Sequence, residues 1–152
     1  MVLVASTLFF LTGEVGAQKR VRSGNLVVEQ PWVRASTAKN RPATAYLTIR
    51  NRGKKNDTLL KVSTPLSESA EVHSTTKNSG ATRKSRVWPV KIPGGGKVVL
   101  APGGLHIKMT NLKAPLVKGK TVELTIWFIR AGKITVTAPI YGPGAIRPIQ
   151  PK

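Results

Sequence analysis

Imidazoles that could hold a metal are few in this chain: His73 and His106, with Lys84 between them and Lys108 two positions beyond the second. These are the only two histidines, and there is no cysteine, so disulfides and thiolate metal sites are excluded. A soft metal ion would have to use imidazole or thioether, and the only thioethers are Met1 and Met109. A lysine ammonium offers no lone pair, so Lys84 and Lys108 are not expected to be ligands. Two imidazoles can hold Cu(I) in a linear arrangement or Cu(II) in a looser one.

Strand periodicity sorts the neighbours of these residues. Glu71 precedes His73 by two positions, which puts it on the same strand face, where it can accept a hydrogen bond and set the imidazole tautomer. His106 and Lys108 share a face in the same way. Met109 points to the opposite face and could reach the histidines only through a bulge, so the sequence predicts that it packs in the core.

The elements that must carry these residues read as strands. In ATAYLTIR, Ala45, Leu47 and Ile49 share one face while Tyr46, Thr48 and Arg50 take the other. In TVELTIWFIR the inward set is Val122, Leu124, Ile126 and Phe128, followed by Ile134, Val136 and Ala138 across a hairpin at Ala131-Gly132. Further strands are predicted near 25–30, 58–63, 69–75, 84–91, 97–101 and 105–110. Turns such as Asn51-Arg52-Gly53, Asn78-Ser79-Gly80, Pro93 to Gly96 and Pro102-Gly103-Gly104 separate them. That pattern predicts a single all-β domain, an antiparallel sandwich of two sheets, over residues 25–140. Trp32, Trp88 and Trp127 are expected to pack within it.

Charge and termini bound the setting. Residues 2–12 are an apolar run too short to span a bilayer, and Val15-Gly16-Ala17 supplies small residues for cleavage, so residues 1–17 read as a signal peptide. No basic residue precedes the run, which fits either a truncated start or a leader retained as a membrane anchor. The expected location is the periplasm or another exported compartment. A basic segment, 18–24, follows, and the Pro/Gly-rich residues 141–152 read as a flexible tail. Removal of the leader leaves 25 basic against five acidic residues and a formal charge of +20. Such a field attracts anionic surfaces and repels free cations. The basic residues are dispersed, and no zinc-finger spacing, RNP-like segment or recognition helix accompanies them, so no specific nucleic-acid partner is expected. The Gly-rich turns lack a P-loop ending, and no paired carboxylates or Ser/His/Asp set is present. An enzyme is not expected.

Several segments, in order, resemble those of the periplasmic copper chaperone family PCuAC: PWVR at 31–34, ATAYLTIRNRG at 43–53, AEVHS at 70–74, IPGGGKVVLAPGGLHI at 92–107, LKAPLVKGKTVELTIWF at 112–128 and AGKITVTAPI at 131–140. The resemblance implies a cupredoxin-like Greek-key β-sandwich. It also implies a site of two histidines and two methionines for one copper ion, chiefly Cu(I), destined for the copper centre of cytochrome oxidase. His73 and His106 match that set, whereas Lys84 and Lys108 stand where the family has methionine. The chain is therefore expected to be a copper-binding, chaperone-type protein with a weakened or lost site. Its partner would be a copper acceptor such as a cytochrome oxidase subunit or assembly factor. The alternative is a non-metal basic module that binds anionic envelope components or an acidic protein.

Overall fold

A computed structural model describes residues 20–36 and 40–146, all of it strand and connecting loop. Eleven strands follow one another: β1 Val21–Ser23, β2 Leu26–Arg34, β3 Ala43–Asn51, β4 Asp57–Ser63, β5 Ser67–Asn78, β6 Ala81–Arg86, β7 Val90–Ile92, β8 Lys97–Leu100, β9 Leu105–Leu112, β10 Thr121–Phe128 and β11 Gly132–Tyr141. Hydrogen bonding runs β2-β11-β10-β4-β5-β9-β3 and returns from β3 to β2, closing a barrel-like sandwich of seven strands. An odd number of strands cannot alternate direction all the way round a closed ring. The mismatch falls at β11 and β2, whose short pairing of Ile140 with Val33 and Tyr141 with Arg34 is parallel, while the other ring pairs are antiparallel.

The all-β cupredoxin-like architecture is the one predicted, and the inward-facing sets are those read from alternation. Ala45, Leu47, Ile49, Val122, Leu124, Ile126, Phe128, Ile134, Val136 and Ala138 all lie in the core. Each fully buried aliphatic contributes about 2 kcal/mol of transfer free energy, so this alternation is the main force that selects the register. Tyr46 faces outward with Thr48 and is nevertheless buried, because Trp32 lies across it with ring centroids 4.4 Å apart.

Other details differ from the sequence reading. The single strand expected at 84–91 is two: β6 pairs with β5, and β7 pairs with β4. Pro89 lacks an N–H and cannot continue the ladder, so the chain leaves one neighbour at Val87-Trp88 and joins the other. Trp88, expected to pack in the sandwich, is 46% exposed at this crossing. Val21–Ser23 forms β1 against β2 within the segment read as 18–24, and β11 runs to Tyr141. Beyond it the Arg34 guanidinium donates to the Ala145 carbonyl, at 2.9 Å. The leader 1–17 and residues 147–152 of the expected tail lie outside the described residues. Among those described, no helix is long and apolar enough to cross a membrane.

Candidate metal centre

Three adjacent strands, β6, β5 and β9, build the site. Between β5 and β6, Ser79 and Gly80 take φ of 46° and 84° while Asn78 pairs with Ala81, a two-residue turn with both central residues left-handed. That turn sets the register: Arg86 stands opposite His73, and Lys84 opposite Thr75. On the other side of β5, β9 places His106 opposite His73 and Lys108 opposite Glu71. The two histidines therefore form a cross-strand pair, and their ring centroids are 6.2 Å apart with planes inclined at 33°. Val72 and Ile107, which alternate with them, are buried, so Glu71, His73, Thr75, Lys84, Arg86, His106 and Lys108 share the outer face.

Each imidazole is oriented by one hydrogen bond. The Gly104 carbonyl lies 2.9 Å from Nδ1 of His106 and can only accept, so Nδ1 carries the proton and Nε2 carries the lone pair. On His73, Nε2 lies 3.3 Å from Oε2 of Glu71, so Nε2–H donates to the carboxylate and the lone pair is on Nδ1. Oε1 of Glu71 also lies 3.5 Å from Nε of Arg86. His73 is largely sheltered, with 16% of its side-chain surface exposed.

A metal about 2.0 Å from one nitrogen of each imidazole separates the ring centroids by about 6 Å when the nitrogens lie opposite one another, and by about 4.5 Å at a right angle. The observed spacing suits the opposed, two-coordinate arrangement. Among the described residues no group of three or more His, Cys, Asp or Glu side chains could hold a metal ion. Met109 is fully buried, paired with Ala43 and Ala70 on the core side of β9. Lys84 is exposed and Lys108 half-buried.

Arg86 is the participant that sequence reasoning did not single out. Its signal was the turn: a two-residue connection at Ser79-Gly80 pairs position 86 with 73 automatically. Beside Glu71 and Arg86, β4 and β5 share only the pair Val62 and Ala70, and a cleft of about 420 Å³ opens there, with Trp88 and Leu60 on its walls.

Comparison with known proteins places these features. The model of the LpqE-like family, described as "Putative lipoprotein LpqE-like", matches residues 26–140. The chain is 31% identical over 144 residues to "Putative lipoprotein Lxx21020" of Leifsonia xyli subsp. xyli (strain CTCB07), covering 90% of this chain and 86% of that one. Among solved structures, the copper-bound PCuAC domain from PmoF2 superposes with a TM-score of 0.71 at 25% identity, covering 82% of this chain and 99% of the domain. The apo PCuAC domain from PmoF1 gives 0.69 at 33% identity, covering 82% and 100%. The Cu(I) form of DR1885 from Deinococcus radiodurans gives 0.62 at 25% identity, covering 84% of each chain.

Proposed function

From the chain's membership of the LpqE-like family and its copper chaperone-type fold, we propose that it is an exported copper carrier that captures the ion on His73 and His106 and hands it to an acceptor protein. The observation that carries this reading is the cross-strand imidazole pair, 6.2 Å apart, with the Gly104 carbonyl and Glu71 each fixing a tautomer. Two imidazole nitrogens are a suitable donor set for Cu(I), the monovalent ion that accepts linear coordination. The copper is cargo, so the chemistry is ligand exchange without transformation of a substrate.

With lysine rather than thioether at 84 and 108, the site is weaker than a set of two histidines and two methionines. That suits transfer, because a carrier must release what it binds. The acceptor is a protein with a stronger copper site, such as a cytochrome oxidase subunit or assembly factor. The family's lipoprotein description supports export. Residues 1–17 are read as the leader, or as the anchor if retained.

The test is an equilibrium titration of Cu(I) against a competing chelator, with the His73→Ala, His106→Ala double variant beside the wild type. We expect the wild type to bind one ion at least 100-fold more tightly. Equal affinities overturn the metal reading. In that case the cationic face formed by Lys84, Arg86 and Lys108 favours the second reading, a basic module for anionic envelope components, which predicts salt-sensitive retention on a polyanion.

A further inference from the structure

The surroundings of the imidazole pair oppose the arrival of a free metal cation. Arg86 is the direct cross-strand neighbour of His73, Lys84 lies diagonally from it, and Lys108 follows His106 on the same face of β9. Direct neighbours of this kind lie about 5 Å apart and diagonal ones about 7 Å, within one Debye length at physiological salt. Among the described residues of these three strands, the carboxylate on this face is Glu71, and it is already engaged by His73 and Arg86. Beyond the face the whole chain carries a formal charge of +19. A positive field of this strength slows the approach of cations and accelerates that of anions.

We propose that copper reaches this site as an anionic complex with a small acidic chelator, and that Lys84, Arg86 and Lys108 form the docking frame for that chelator. The proposal rests on the copper-carrier reading and specifies its cargo. The acidic groups of the complex meet the three cations first, which brings the metal over the imidazole pair. Nε2 of His106 and Nδ1 of His73 then each donate a lone pair to the metal as a donor atom of the chelator leaves. Two metal–nitrogen bonds replace two metal–chelator bonds, the oxidation state is unchanged and no proton is transferred. The chelator departs with its charge, screened by the three cations until it exchanges with bulk anions. The same lysines that contribute no lone pair thus acquire a role that thioethers could not perform.

The test separates rate from affinity. Cu(I) is presented to the full chain as its anionic ferrozine complex and, separately, as its cationic acetonitrile complex, and uptake is timed by rapid mixing at low and high salt. We expect uptake from the anionic complex to be at least tenfold faster at low salt and to lose that advantage at high salt. In the Lys84→Gln, Lys108→Gln variant, which leaves Arg86 on Glu71, the advantage should shrink, while equilibrium affinity for Cu(I) does not fall. Lys54→Gln with Lys55→Gln, at the opposite end of β3 from Thr44 and Lys108, controls for net charge and should change the rates less than twofold. Equal uptake from the two complexes, or an equal loss of advantage in the control, overturns the proposal while leaving the imidazole site intact. Absence of histidine-dependent copper binding at equilibrium removes the carrier reading and this inference together.

Discussion

His106 owes its free ring nitrogen to a backbone carbonyl two residues away, that of Gly104, whereas His73 depends on a side chain, Glu71, that Arg86 also holds. The two halves of the pair therefore differ in robustness. A carbonyl in a well-made turn cannot be drawn away, but a carboxylate shared between an imidazole and a guanidinium can. The positions flanking the pair are where the proposed copper site can be tested. Lys84 and Lys108 sit on the histidine face, opposite Thr75 and Glu71 respectively, where a methionine would present a thioether on the same side of the sheet. Lys84→Met with Lys108→Met should raise Cu(I) affinity at least tenfold in a chelator competition, by adding soft donors and removing two cations. Unchanged affinity would mean that these positions do not converge on the imidazoles. Met109 offers no substitute, since it is fully buried on the other side of β9.

At the scale of strands, the site depends on junctions some distance from it. Asp57, buried at the start of β4, accepts hydrogen bonds from the backbone N–H groups of Thr58 at 2.7 Å and of Arg130 and Ala131 at 2.9 Å each. It thereby ties the β10–β11 hairpin tip to β4, where the β10 ladder shifts register between Trp127 and Phe128. Asp57→Ala leaves three partly buried donors without their acceptor, at a cost of about 3 kcal/mol. We expect thermal unfolding to move down by roughly 10 °C, with Asp57→Asn in between; a shift within about 2 °C would show that solvent replaces the carboxylate. The alternating core residues made β3, β10 and β11 legible from sequence, because burial of one face imposes a period of two. The break at Trp88-Pro89 was less legible. Proline marked an interruption, but the choice of a new partner, β4, depends on long-range pairing.

Across the whole molecule, the outer face combines extreme charge with an enclosed aromatic cluster. Tyr46 lies under Trp32 and within 5.3 Å of the Arg34 guanidinium. Burial raises its pKa above the ordinary value of 10.0, and the opposing pull of Arg34 and a hydrogen bond with Thr44 does not cancel that effect. The folded state thus holds the phenol proton more tightly than the unfolded chain. This contribution is fully present below pH 10.0 and declines as pH rises through the higher folded value. Denaturant unfolding of wild type and Tyr46→Phe, compared at neutral pH and above about pH 10, should show the wild type losing its advantage at the alkaline end. A constant difference would mean that the phenol ionises equally in both states.

Composition and periodicity alone determined an all-β domain in which Glu71 and His73 share a face, and His106 and Lys108 share one opposite an inward Met109. They could do so because alternation is local: it requires only that one face of each strand be buried. The absence of cysteine likewise limited a soft-metal site to imidazole and thioether before any coordinate was known. Local rules could not decide that His73 and His106 stand directly opposite one another, because β5 and β9 meet through a pairing between segments more than thirty residues apart in the chain. Nor could they place Arg86 on His73's other flank without fixing the Ser79-Gly80 turn. The side-chain inventory was thus written in the sequence, while the imidazole spacing and the cationic frame around it were decided by strand register, which only the closed sheet imposes.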